Sequence, residues 1–195
     1  MTAAPVMLTA TWAQSTELGA AADFAAFTEA AAGALADGLP GFRSAVRALA
    51  GDSGLHVRAV EAGIGFWPGG AEPTARLALS GDPDRVRALA RALAARFDQD
   101  AVQLVWPAPL PGTPEPALPW NSVQVRYTTG DLPPAEVLRR LAGTSVPGGT
   151  LLGSDLVVDV PTDDAADVAA ELTGWLALVG WTRCRTERWA RDGER

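Results

Sequence analysis

The sequence predicts an α+β fold made of two ferredoxin-like (split βαβ) units in tandem, each with an antiparallel sheet, the second unit abbreviated. Three observations predict it. Residues 1–107 read in the order strand, helix, strand, strand, helix, strand. A proline-rich stretch over residues 108–119 follows, and residues 120–195 go through the same order in shorter form.

In the first unit, Val6, Leu8, Ala10 and Trp12 alternate with Met7, Thr9 and Thr11, the period of a half-buried strand over residues 5–12. Ser15 or Thr16 can cap a helix over residues 17–37, carrying Phe24, Phe27, Ala31 and Leu35 and stopped by Asp37-Gly38-Leu39-Pro40-Gly41. A short helical stretch over residues 42–50 comes next. Residues 55–66 and 73–80 form a hairpin whose tip contains Trp67, Pro68, Gly69 and Gly70. Asp82-Pro83-Asp84 then combines a capping side chain, a preset φ and a negative charge at the positive end of the dipole, opening a helix with Val86, Leu89, Ala90, Leu93 and Phe97 inward. Residues 101–106 close the unit as its fourth strand.

Between the units, prolines at 107, 109, 111, 114, 116 and 119 remove backbone donors and favour an extended path, so residues 108–119 read as a semi-rigid linker. Val123, Val125 and Tyr127 alternate along the next strand, and Asp131-Leu132-Pro133-Pro134 starts a short helix ending near Gly143. Gly148, Gly149 and Gly153 must accommodate a short second strand and its turn, with strand material over residues 151–160. Thr162-Asp163-Asp164 caps a helix that buries Val168, Leu172, Trp175, Leu176 and Val179, and residues 181–189 make the last strand.

Composition excludes several function classes. Cys184 is the lone cysteine and His56 the lone histidine, which leaves no disulfide framework and no zinc cluster. No apolar run reaches the length of a membrane span and no leader pattern opens the chain, so a cytoplasmic location without a membrane partner is expected. The formal net charge of -7 disfavours polyanions; residues 1–107 and 120–195 each carry 8 Arg against 11 acids.

The candidate functional residues follow from that frame. Glu61 and Glu72, near the hairpin tip and its tryptophan, are the carboxylates best placed for acid–base chemistry, with His56 the sole imidazole. A Glu–Arg cross-strand pair with Arg76 and a surface histidine are the structural alternatives. Trp67 and Trp120 are candidate ligand or interface residues, together with Arg58, Arg76 and Gln103, which make the sheet face opposite the helices partly polar beside Thr9, Thr11, Met7 and Val105. Arg183, Arg185 and Arg188 interleaved with Trp189 are the one arrangement suited to a single nucleic acid strand; an edge strand whose Arg stems cover Trp faces is the alternative. Phe97-Asp98-Gln99-Asp100 is expected to finish a helix, and the acids at 155, 159, 163, 164 and 167 lack the spacing of a metal loop, so neither metal nor cofactor is expected. The glycines around Ile64 lack the Lys-Ser/Thr of a phosphate loop.

The pattern from the hairpin through residues 97–102 resembles small bacterial domains of unknown function; it covers under half of the chain and implies no activity. A sheet face left uncovered by helices needs a partner, so the two units are expected to pack together or the chain to dimerise. The leading expectation is a non-enzymatic binding or protein-interaction module, acting on another protein, on itself or on a small molecule. An α+β-barrel-type enzyme using a carboxylate on a small apolar substrate is the alternative, and a single-strand nucleic acid binder ranks third.

Overall fold

The computed structural model describes residues 5–12, 16–17, 24–67, 70–99, 101–107, 121–141, 148–161, 165–173 and 177–190. The fold is α+β, with four helices and one antiparallel sheet among the described residues. The linker segment 108–119 and Trp120 lie outside them, as do Asp100, Asp163, Asp164, Trp175 and Leu176.

The first half contains β1 (Val6–Thr11), a two-residue β2 (Thr16–Glu17), α1 (Phe24–Asp52), β3 (His56–Trp67), β4 (Gly70–Ser80), α2 (Pro83–Arg96) and β5 (Ala101–Pro107). Val6, Leu8 and Ala10 of β1, Ala75, Leu77 and Leu79 of β4, and Val102, Leu104 and Trp106 of β5 all turn to one face. There they pack against Phe42, Val46 and Ala50 of α1 and Val86, Leu89, Ala90 and Leu93 of α2. Burying such apolar faces is the main favourable term available to a chain with no staples. The start of α2 follows its sequence signals: the Asp82 carboxylate accepts from the amides of Asp84 at 3.0 Å and Arg85 at 3.2 Å, with Pro83 in the first turn.

Two predictions for this half are corrected. Thr16 and Glu17, read as a helix cap and the first residue of the helix, pair with Ala71 and Gly70 of β4 as β2, and α1 is described from Phe24. The helix does not stop at residue 37; α1 runs unbroken through Gly38 and Pro40 to Asp52. Breaker residues lose to tertiary packing here, because the turns after Pro40 carry Phe42, Val46 and Ala50 into the core.

The second half contains β6 (Asn121–Thr128), α3 (Pro134–Leu141), β7 (Gly149–Leu152), β8 (Asp155–Pro161), α4 (Ala165–Thr173) and β9 (Ala177–Ala190). Its core joins Tyr127, Leu156, Val158 and Val160 to Val137, Leu138 and Leu141 of α3 and Val168 and Leu172 of α4. On α3, Glu136 accepts hydrogen bonds from Arg139 and Arg140, which hold its carboxyl below the usual carboxylate value. Val179, assigned to the last helix from sequence, belongs instead to β9, since α4 ends at Thr173.

Within each half the strand neighbours run in one order, β5-β1-β4-β3 and β9-β6-β8-β7. The two sets are not separate sheets. β5 pairs with β9 from Ala101↔Ala190 to Pro107↔Cys184, and β3 pairs with β7 from Ile64↔Leu151 to Phe66↔Gly149. Because β1 also pairs with β4, the strands close into a ring: β1, β5, β9, β6, β8, β7, β3, β4 and back to β1. The short β3–β7 seam is fixed from the helix side by Ile64 and Phe66, which enter the second core. It also needs Gly63, because a Cβ there would collide with the Leu151 carbonyl.

Candidate ligand-facing inner surface

Each strand of the ring gives one face to helices and the other to the ring interior. Val105 (4% exposed), Ala78 (9%) and Val157 (3%) are buried although neither helix-side core contains them. They sit at strand positions of the opposite parity to the helix-side cores, so the inner face holds a second buried surface of mixed polarity.

The antiparallel register places one transverse polar row across it. Glu61 of β3 opposes Arg76 of β4, Arg76 opposes Thr9 of β1, Thr9 opposes Gln103 of β5, and Gln103 opposes Arg188 of β9. Residues directly opposite in an antiparallel pair share a face. The next row, Ala59, Ala78, Met7 and Val105, is almost wholly apolar.

Exposure along the polar row is graded. Glu61 is exposed, Thr9 and Gln103 are half-buried, and Arg76 is only 6% exposed. A guanidinium taken out of water in this way needs anionic or hydrogen-bonding company, and it presents up to five donors in a fixed fork. The nearby threonines are tied to backbone: the Thr11 hydroxyl donates to the Pro73 carbonyl at 2.6 Å and the Thr74 hydroxyl to the Ala10 carbonyl at 3.1 Å. Those two bonds clip β1 to β4 just beside Arg76.

The structure thus brings together Glu61, Arg76 and Gln103 of the predicted residues, with Arg188 reached through the register. Glu72, half-buried, opposes Gly65 nearer the hairpin tip. His56, exposed, opposes Ser80 at the far end of β3.

Arg58 does not join the row. A β-bulge between Val57 and Ala59 leaves Arg58 without an opposing residue, and its Nε donates to the Ser80 hydroxyl at 2.8 Å. Simple alternation placed it beside Arg76, and a bulge is what alternation cannot show. The backbone of Trp67 ends β3 opposite Gly70.

β9 is not an edge strand, since it lies between β5 and β6. Arg183 and Arg185 oppose Val123 and Trp106, whereas Arg188 opposes Gln103 and Trp189 opposes Val102. The arginines therefore fall in rows of opposite parity.

Asp98 sits in the left-handed region at φ 55, where the Phe97 amide reaches the Leu93 carbonyl at 3.0 Å and the Gln99 amide reaches the Ala94 carbonyl at 2.9 Å. This segment closes a helix end, the use expected of it. No cluster of three metal-ligating side chains occurs among the described residues.

Thr74 and Ala78 on β4, Ala59 on β3 and Val157 on β8 were not singled out from sequence as inner-face residues. Their signal was present in the alternation of β4 and β8, but it gains meaning only once the ring closes. No protein-family model matches the sequence, and no curated protein matches it.

Proposed function

We propose that the chain is a non-enzymatic binding module of two ferredoxin-like halves whose small-molecule ligand is held on the inner face of the strand ring. The repeated element order and the matching neighbour order in the two halves support the fold reading. The observation that carries the functional reading is the burial of Arg76 on a face no helix covers, in a row with Thr9 and Gln103. Rings of eight strands are wide enough to be filled by side chains or to hold one small ligand. With the Glu61 carboxylate opposite it on one side and Thr9 on the other, Arg76 belongs to a mixed polar row that suits a ligand offering both donors and acceptors.

The test is native mass spectrometry of untagged protein purified gently from its source. A retained small molecule, lost in Arg76→Met while circular dichroism stays unchanged, is the expected result. Wild-type protein that carries no small molecule, or one retained equally by Arg76→Met, overturns the reading. A substrate turned over by wild type but not by Glu61→Gln or Glu72→Gln would move the protein to the enzyme class.

A further inference from the structure

We propose that the free edge of β3 over residues 56–62 is a latent pairing site for a second copy of this chain, held shut by the one-residue bulge at Arg58 and by the Glu61 carboxylate. The edge needs no ligand on the inner face for this role.

The edge exists because β7 is shorter than the strand it joins. β3 runs from His56 to Trp67, whereas β7 stops at Leu152, where Gly153 at φ 61 turns the chain into β8. Their ladder covers only residues 64–66 of β3. Among the described residues no strand pairs with positions 56–62 on the side away from β4. No side chain in this stretch is buried: His56, Arg58, Ala59 and Glu61 are exposed, and Val57, Val60 and Ala62 are half-buried. A free row of backbone donors and acceptors beside such residues is a template for another strand.

The occupant that fits is the same segment of another copy, but only if Arg58 is taken out. Val57, Val60 and Ala62 oppose Leu79, Leu77 and Ala75 on the helix side of the sheet, while His56, Ala59 and Glu61 oppose Ser80, Ala78 and Arg76 on the inner side. Without Arg58, a twofold antiparallel pairing centred on Val60 would set Ala59 against Glu61, Val57 against Ala62 and His56 against Gly63. Every pair then joins residues of one face. With Arg58 present, the positions beyond it slip by one, Val57 falls against Gly63, and the faces no longer match.

Two further features keep the edge closed. The bulge bends β3 and raises its local twist, which turns the edge away from a straight partner. Arg58 offers no compensation across such an interface, because its Nε donates to the Ser80 hydroxyl at 2.8 Å and so draws the side chain over β4. Glu61 is exposed, and a strand laid beside it would strip water from its carboxylate. Charges set into an apolar, strand-forming segment are the pattern that prevents such segments from stacking.

Light scattering after size-exclusion chromatography, joined to amide hydrogen exchange, tests this on the full chain. Wild type should stay a single chain across micromolar concentrations, with the amides of residues 56–62 that point away from β4 exchanging fast. Deletion of Arg58 combined with Glu61→Thr should shift the mass to two chains and slow those amides about tenfold or more, while the amides of β1 and β5 keep their wild-type rates. Glu61→Thr alone, which keeps the bulge, should remain mostly a single chain. A double variant that is folded by circular dichroism yet stays a single chain overturns the latent site. Wild type that already pairs, with these amides slow, overturns the closing role of Arg58 and Glu61. Slow amides in a single-chain wild type mean that another part of the chain covers the edge, and overturn both. Because the wild-type exchange pattern decides by itself, the proposal stays open to refutation even where the deletion prevents folding.

Discussion

The hydroxyl of Tyr127 has no hydrogen-bond partner among the described residues, although the side chain is fully buried beside Leu156, Val137 and Leu172. A buried hydroxyl without a partner forfeits its hydration, at a cost of about 1 kcal/mol or more. Tyr127→Phe removes the polar atom and keeps the ring, so it should raise stability by about 1 kcal/mol in urea unfolding at neutral pH. Burial also pushes the phenol above its ordinary value of 10.0. In alkali the unfolded chain ionises first and binds fewer protons than the folded one, so stability falls as pH rises through and beyond 10. The variant should lose this part of the alkaline decline, and a decline of unchanged steepness would show that other groups cause it. Arg76 is the opposite case at the same scale: its guanidinium is buried on the inner face in a row with Glu61 and Thr9, whereas the Tyr127 hydroxyl lies in a helix-side core.

At the scale of the element, α1 shows how far local signals can be overruled. Pro40 has no amide to bond the Ala36 carbonyl, and Gly38 is among the poorest helix formers, yet the helix continues through both. Trp12 explains the glycine. Its indole Nε1 donates to the Ala34 carbonyl at 3.2 Å, and a Cβ at Gly38 would lie within bonding reach of that indole. The ring in turn stacks at 5.0 Å from Phe42, which lies 5.2 Å from Phe97, so one aromatic file joins the end of β1, α1 and the end of α2. Gly38→Ala should therefore destabilise the protein, although helix propensity alone predicts a gain of about 1 kcal/mol. Displacing the indole is expected to outweigh that gain and leave a net loss of about 1–2 kcal/mol in thermal or urea unfolding. A stabilised Gly38→Ala would mean that Trp12 moves aside freely. The sequence shows Trp12 at a strand end and Gly38 in a turn-like string, but nothing in the spacing connects them. Elements with unbroken periodicity were legible instead: α2, with its cap at Asp82 and its inward Val86, Leu89, Ala90 and Leu93, stands as predicted.

At the scale of the whole molecule, alternation along β1 and β5 identified Thr9, Thr11, Gln103, Met7 and Val105 as one face, and the face exists as read. What periodicity cannot supply is the identity of the strand on the other side of it. The two joins that close the ring, β5 with β9 and β3 with β7, link residues far apart in the chain and leave no local mark. Only the consequences of the β3–β7 join can be seen in the sequence, as Gly63, where a Cβ would meet the Leu151 carbonyl, and Gly149, where it would crowd the Phe66 ring. A closed ring implies that neither half is complete alone. Residues 1–107 without the second half would free one edge of β5 along its length, and residues 120–195 would free β9 on one side and lose the β3 partner of β7. Uncovered apolar faces and long free edges drive association. The two fragments expressed separately should therefore self-associate in size-exclusion chromatography with light scattering, and after co-refolding should form a one-to-one complex. In that complex the amides at residues 102–106 should regain the slow hydrogen exchange of the intact chain. Two well-folded monomers that ignore each other would mean that inner-face burial contributes little, and the inner surface would then be an exposed groove in solution.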